Sequence, residues 1–249
     1  KNYSSWSLRP WLLMKHFGIP FTEHLVSVAG RGASDLHRGY SKNGLVPCLH
    51  IENDFQIWDT LAIAEYLAET YPEKHLYPVD KFARARARSI SAEMHSGFAN
   101  VRGAMGMNIK MRLKGAEPSA EVAKDVQRIV EIWTDARREF GQATGKPYLL
   151  GEFSVADAMF SPVIWRFFSY NVALEGEAKA YLETMLAHPF MQEWAQSALA
   201  ETVALAHYDD AALANAPHNN CVFRLLMYNI PCKIRFQRNT FHKAAHDRI

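Results

Sequence analysis

The sequence predicts a small α/β domain followed by an all-helical one, and three observations carry that reading. Short apolar runs of strand-like composition fall before Asp59, while from Phe82 onward apolar residues recur with a helical period and no convincing strand is found. Between them, "PEKHLYPVDK", with Pro72 and Pro78, has the makeup of a linker. The chain therefore divides into residues 1–72, a linker at 73–81, a helical domain at 82–210 and a tail at 211–249.

The elements follow in order. In "SSWSLRPWLLMKHFG", Ser4 and Ser5 are candidate caps before Leu8, Trp11, Leu12 and Phe17, and Gly18 is a stop. "FTEHLVSV" alternates Phe21, Leu25 and Val28 with polar residues and suits a strand. "ASDLHRGYSKNG" suits a short helix or irregular turn. "VPCLHI" and "FQIW" are apolar runs joined through Glu52-Asn53-Asp54, a hairpin signal. "DTLAIAEYLAETYP" sets Leu61, Ile63, Ala64, Leu67 and Ala68 on one side of a helix that Pro72 ends. Beyond the linker, "FARARARSISAEMHSGFANVRGAMGMNIKMRL", "SAEVAKDVQRIVEIWTDARREFG", "SVADAMFSPVIWRFFSYN", "EAKAYLETMLA" and "FMQEWAQSALAETVALA" read as successive amphipathic helices.

Composition narrows the function. A chain of 249 residues that is 49% apolar can bury a sizeable core. A net charge of +2 gives no general argument for nucleic acid or an anionic membrane, and no apolar run reaches the roughly 20 residues of a membrane span. Cys48, Cys221 and Cys232 form neither a disulfide framework nor a zinc site, and the histidines show no ligand spacing. Scattered residues such as His16 and His95 suit surface or packing roles, so no metal is expected. A cytoplasmic protein is the default. The tail has six Lys or Arg against Asp247 and no clean helical period, which reads as an appendage outside the fold. Arg84, Arg86 and Arg88 diverge around their helix and make no basic stripe.

Three motifs carry chemistry. Pro47 stands where a strand would donate a ladder hydrogen bond, so it belongs at an edge or bulge. Were the Val46-Pro47 bond cis, the Val46 backbone would face outward and an extended peptide could pair with it as an added strand. Cis is the minority form, about 5–6% of X-Pro bonds, and a trans edge proline is the commoner arrangement. Asp59-Thr60 opens a helix whose free N–H groups can take a carboxylate while the Asp59 carboxylate takes an ammonium; ordinary N-capping by Asp59 is the plainer reading. Ser4-Ser5 precedes the first helix, where a hydroxyl and the helix amides could stabilise a thiolate; capping again is the plainer reading. Together the three describe an extended peptide with a free amino-acid end and a thiol, which is glutathione.

With these motifs in this order, residues 1 to about 210 resemble the glutathione S-transferase superfamily. The resemblance implies a thioredoxin-like first domain and a helical-bundle second domain. It also implies a cis Pro47 with Val46 pairing to the cysteinyl backbone, and an Asp59-Thr60 pair on the γ-glutamyl group. The Ser-Ser-Cys opening of the serine-type zeta class lines up with Ser4-Ser5-Trp6, which makes Ser4 the first choice of catalytic residue, Ser5 the second and Trp6 a neighbour of glutathione. "SVADAMF" is similar to the superfamily's capping box, with Ser154 and Asp157 as structural caps. A basic residue often precedes the Val-Pro pair in the superfamily; here Leu45 stands there, so Lys42, Arg31 or Arg38 would serve the glycine carboxylate. The arginine that zeta isomerases place on a substrate carboxylate falls near Ser169, one helical turn from Arg166. Met94, Phe98 and Met105 suit a permissive second-substrate pocket or the core equally. Superfamily members place a central strand before the first helix, and the chain reaches "NYSSW" without room for one, so it reads as a truncated product. The implied activity is conjugation of the glutathione thiolate to a mostly apolar electrophile by a homodimer. A glutathione-dependent isomerase of the maleylacetoacetate type, a peroxidase, or a catalytically silent binding module are the alternatives.

Overall fold

The structure, a computed structural model, describes residues 1–27, 33–113, 118–206 and 209. The first domain holds α1 (Ser5–His16), α2 (Ala33–Arg38), β1 (Cys48–His50), β2 (Gln56–Trp58) and α3 (Thr60–Thr70). The second holds α4 (Lys81–Ser96), α5 (Ala99–Ala104), α6 (Ala120–Ala136), α7 (Val155–Ser169), α8 (Gly176–Ala187) and α9 (Pro189–Ala200). A thioredoxin-like unit with a small sheet thus precedes a helical domain. The tail beyond residue 209, with Cys221 and Cys232, lies outside the described residues, as do Val28 and Arg31.

β1 and β2 pair antiparallel, Cys48 opposite Trp58, Leu49 opposite Ile57 and His50 opposite Gln56. Asn53 and Asp54 turn the chain between them at φ 56° each, a left-handed setting that Asn and Asp tolerate best among residues with a side chain. Residues 21–27 form no strand, against the alternation expected of "FTEHLVSV", and Leu25 is largely exposed. Alternation gives a strand only where a neighbour supplies ladder partners, and the described sheet consists of β1 and β2.

The helical domain departs from expectation in two runs: the last helix, α9, ends at Ala200, leaving 201–205 non-helical, and the first run is broken. The run from Phe82 to Leu113 is two helices and an irregular segment, because α4 stops at Gly97 and Phe98 adopts φ 61°. A Cβ at Gly97 would lie 2.7 Å from the Glu93 carbonyl oxygen. Gly103 and Gly106 weaken the helical tendency further, and the Leu113 N–H instead bonds the Ser169 carbonyl at the end of α7.

α7 is apolar around nearly its whole circumference and buried along its length, as a central helix must be. Its start is the expected capping box: the Asp157 carboxylate accepts the Ser154 N–H at 2.8 Å and the Leu149 N–H at 3.1 Å. Burial raises the Asp157 carboxyl to about 6 against those hydrogen bonds. α1 joins the domains. It packs on α3 of its own domain and on α7 and α9 of the other, with the Trp11 and Trp194 rings 5.1 Å apart and Leu8, Leu12 and Leu13 excluded from solvent. The starts of α1 and α3 are therefore held against the ends of α4 and α5.

Candidate functional site

Ser4 is the N-cap of α1, but its side chain makes no capping bond; its Oγ donates to Ser7 Oγ at 2.8 Å. Sequence reasoning missed Ser7, although its i,i+3 spacing from Ser4 was there to read. The two hydroxyls form a pair at a helix N-terminus, where amide N–H groups and the helix dipole favour negative charge. Ser4 is half-buried and Ser5 is buried, so Ser4 is the more accessible of the two.

At the start of α3, Asp59 adopts φ 76° and ψ 134°, a conformation that costs a residue with a side chain about 1–3 kcal/mol and is concentrated at functional sites. Asp59 Oδ1 accepts the Leu61 N–H at 2.8 Å and the Ala62 N–H at 3.4 Å. The Thr60 N–H takes no protein acceptor among the described residues, and the Thr60 hydroxyl is buried with no partner. An unsatisfied buried hydroxyl costs about 1–3 kcal/mol. Thr60 thus leaves its hydroxyl unpaired among the described residues but closed off from solvent, beside a helix-start N–H of the kind that receives a carboxylate.

The third member is the loop before β1. Asn43 Oδ1 accepts from Ser41 Oγ at 2.6 Å and from the Leu45 N–H at 2.9 Å, which shapes the approach to Val46. The Val46-Pro47 peptide bond is cis. Neither backbone group of Val46 has a backbone partner among the described residues. Lys42, on this loop, is exposed and anchored through its N–H to Gln56 Oε1 at 3.0 Å. Cys48 is half-buried and burial raises its thiol, which suits packing more than reaction.

A residue from the helical domain ties the first two pieces together. His95, at the end of α4, meets Asp59 Oδ2 through Nε2 at 3.2 Å and stands edge-on to the Trp6 ring at 5.4 Å. By sequence His95 is one of the scattered histidines suited to surface or packing roles; nothing in its local spacing shows that α4 ends against the start of α3. Trp6 also lies against two guanidinium groups, that of Arg9 at 4.4 Å and that of Arg102 at 5.0 Å. Arg9 is buried, its Nε donates to the Met159 carbonyl at 3.1 Å, and its Nη1 has no partner among the described residues. Burial, then repulsion from Arg102 and Arg166, pulls Arg9 down to about 9 against the attraction of Asp59.

The residues expected to line a second-substrate pocket lie elsewhere. Met94, Phe98 and Met105 are buried in the main core. Arg166 is buried and donates through Nη1 to the carbonyls of Met105 and Arg102, bracing the α5 turn from beneath. Ser169, one turn on, is spent on the Asn108 carbonyl at 2.8 Å.

The description "Glutathione S-transferase, N-terminal domain" matches residues 3–70, which span α1 through α3. Its first domain is thus similar to that of the glutathione S-transferases. It is 28% identical over 174 residues to a probable maleylacetoacetate isomerase of Caenorhabditis elegans, a match covering 70% of this chain and 78% of the relative. It is 27% identical over 175 residues to glutathione S-transferase omega-1 of Mus musculus, covering 69% of this chain and 65% of that one, so the chain spans a little under two thirds of the omega relative. Among solved structures, a glutathione transferase homolog from Burkholderia with bound glutathione superposes with a TM-score of 0.59 at 21% identity, covering 80% of this chain and 94% of that one. Glutathione S-transferase 1-6 from Anopheles dirus species B superposes with a TM-score of 0.60 at 20% identity, covering 85% and 95%. These likenesses establish the transferase fold. Among the described residues no group of three or more His, Cys, Asp or Glu is arranged to hold a metal ion, and no helix is long and apolar enough to cross a membrane.

Proposed function

We propose that this protein is a glutathione transferase that joins the glutathione thiolate to an electrophilic small molecule. The observation that carries the reading is Thr60, a helix-start residue with two donors lacking protein acceptors, held beside a strained Asp59 and bridged through His95 to the turn that bears Ser4 and Trp6. The γ-glutamyl carboxylate lies on Thr60 and its ammonium by Asp59, the cysteinyl backbone pairs with Val46 beside Pro47, and the glycine carboxylate lies toward Lys42. The sulfur then reaches the α1 N-terminus, where Ser4, backed by Ser7, donates to the thiolate and lowers the thiol pKa toward ambient pH. The thiol proton leaves to solvent, the S–C bond forms, and the leaving group departs with its electron pair. The superfamily relatives named above support an enzyme of this type; a cytoplasmic location and a homodimer belong to the same reading.

Ser4→Ala tests it. Turnover of a generic electrophile falls about 100-fold, the scale of losing one donor to a developing anion, while the KM for glutathione changes little. Turnover equal to wild type would remove Ser4 from the mechanism. Glutathione-dependent isomerisation is the second reading, favoured by the nematode relative. It shares the glutathione site, and conversion of a cis-dicarboxylic enone to its trans isomer without net consumption of glutathione distinguishes it. Failure to be retained on immobilised glutathione, together with no conjugation, would leave a silent module of this fold.

A further inference from the structure

The end of α1 and the start of α9 meet through two histidines that the transferase chemistry does not use. His188 is buried at the N-cap of α9, and His16 is the half-buried last residue of α1. His188 Nδ1 accepts the Phe190 N–H at 3.2 Å, so the ring proton of the neutral imidazole sits on Nε2. That Nε2 lies 2.9 Å from His16 Nδ1, which is then the acceptor. Both tautomers are thus fixed in a chain that runs from the Phe190 N–H through His188 to His16. A proton added at His188 Nδ1 meets the Phe190 N–H, and one added at His16 Nδ1 meets the His188 Nε2–H. Either one breaks the chain.

The surroundings do little to compensate a charge. His16 stacks on the Phe153 ring with centroids 4.0 Å apart, and the rings of Tyr148, Phe17 and Phe190 lie against the pair. The charged groups that face it are engaged. On α1, Lys15 pairs with Glu193 of α9 at 2.9 Å. In the loop before α7, Glu152 pairs with Lys146 at 2.9 Å. In the turn after α3, Lys74 donates to the Phe17 carbonyl at 2.9 Å. The end of α8 meets His188 through the Met185 carbonyl, which accepts the His188 N–H at 3.2 Å. Glu152 attracts a proton to His16, but burial outweighs it. The positive start of α9 opposes a proton on His188, and burial, then repulsion from His16, lowers that ring to about 4.

α9 is the element placed to respond. It packs chiefly on α1 and α8, and an element with few neighbours opens at lower cost than the core. The chain that follows it returns to the start of α1: Glu201 accepts the Asn2 N–H at 3.1 Å, and the Leu205 N–H donates to Tyr3 Oη at 3.2 Å, next to Ser4. We propose that the His16–His188 pair is an acid-sensitive latch, whose protonation releases α9 and the segment returning to Tyr3 from α1 while the core around α7 stays folded. The latch goes beyond the transferase reading and does not depend on it.

Hydrogen–deuterium exchange of the full chain at pH 7.5 and at pH 5, each corrected for intrinsic exchange, tests the latch. Protection of the α9 amides falls about 25-fold at pH 5, the ratio expected when a histidine goes from about 4 in the latch to about 6.5 on release. The amides of α4 and α7 keep their protection. His188→Asn retains an acceptor for the Phe190 N–H and takes up no proton, so its α9 loses less than about threefold. Three results overturn the latch: unchanged α9 protection in wild type at pH 5, a loss shared equally by α4 and α7, or the full loss persisting in His188→Asn. Should His188→Asn not fold, His16→Gln decides. Its side-chain carbonyl accepts from His188 without titrating, so a smaller loss than in wild type upholds the latch and an equal loss overturns it.

Discussion

Thr60 concentrates the argument at the scale of single residues. Its hydroxyl is buried without a partner, so the folded protein gains nothing from it in the absence of a ligand. Thr60→Val, which keeps the shape and removes the hydroxyl, should therefore leave the melting temperature unchanged or raise it slightly. The same substitution should raise the KM for glutathione about tenfold, because a donor to the γ-glutamyl carboxylate is lost. Thermal melts beside glutathione titrations read both. A variant that loses stability and keeps its KM would show the hydroxyl to be structural. Asp59 makes the complementary case: a strained backbone that caps α3 and at the same time presents Oδ2 to His95. Both residues were readable as candidates in "DTLAIAEYL"; the missing partner of one and the strain of the other were not, since neither has a signature in residue type.

At the scale of elements, helix ends position the chemistry and also set a pH response away from it. His188 caps α9, its Nδ1 accepting the Phe190 N–H at 3.2 Å, and its Nε2 lies 2.9 Å from His16 Nδ1 at the end of α1. Burial, then repulsion from His16, lowers His188 to about 4, and burial lowers His16 as well. Both rings are neutral in the fold, so below about 6.5 the unfolded chain takes up protons that the folded chain does not. Their contribution is complete above that pH and is lost as pH falls toward 4. Asp157 works in the opposite direction over part of this window, because its raised folded value, about 6, makes the folded chain take up a proton first. The wild-type curve is the sum. His188→Asn keeps a capping acceptor and removes the titrating ring, so the variant should gain stability relative to wild type as pH drops from 6.5 to 4. Melting curves for the two proteins that stay parallel across that range would contradict this account.

For the whole molecule, α1 is shared property. Its inner side completes the first domain on α3 and its outer side is buried on α7 and α9, so the starts of α1 and α3 are fixed relative to the helical domain. The opposite face of α3 and α4 is where a second copy would dock in the homodimer reading. Val79 and Phe82 stand 69% and 65% exposed there, beside a cavity of about 320 Å³ that Glu65, Ala68, Arg84 and Arg88 help to line. An exposed aromatic next to a recess is the arrangement that a self-complementary interface uses. Sedimentation velocity should show a dimer that Phe82→Glu converts to a monomer; a wild type sedimenting as a monomer would overturn this reading.

The sequence by itself determined the order of domains, the hairpin at Glu52-Asn53-Asp54, the capping box at Ser154 and Asp157, and the candidate pairs Ser4-Ser5 and Asp59-Thr60. Each of these depends on residues a few positions apart, where backbone geometry fixes who can meet whom. Tertiary structure decided the rest. It turned Met94, Phe98 and Met105 inward, gave Arg166 to carbonyls, left residues 21–27 without a strand, and brought His95 and Arg102 to Trp6 across the domain boundary. An amphipathic helix announces that it has an apolar face, but what that face meets depends on the crossing of helices far apart in the chain. Those crossings are set by packing, which no local pattern contains.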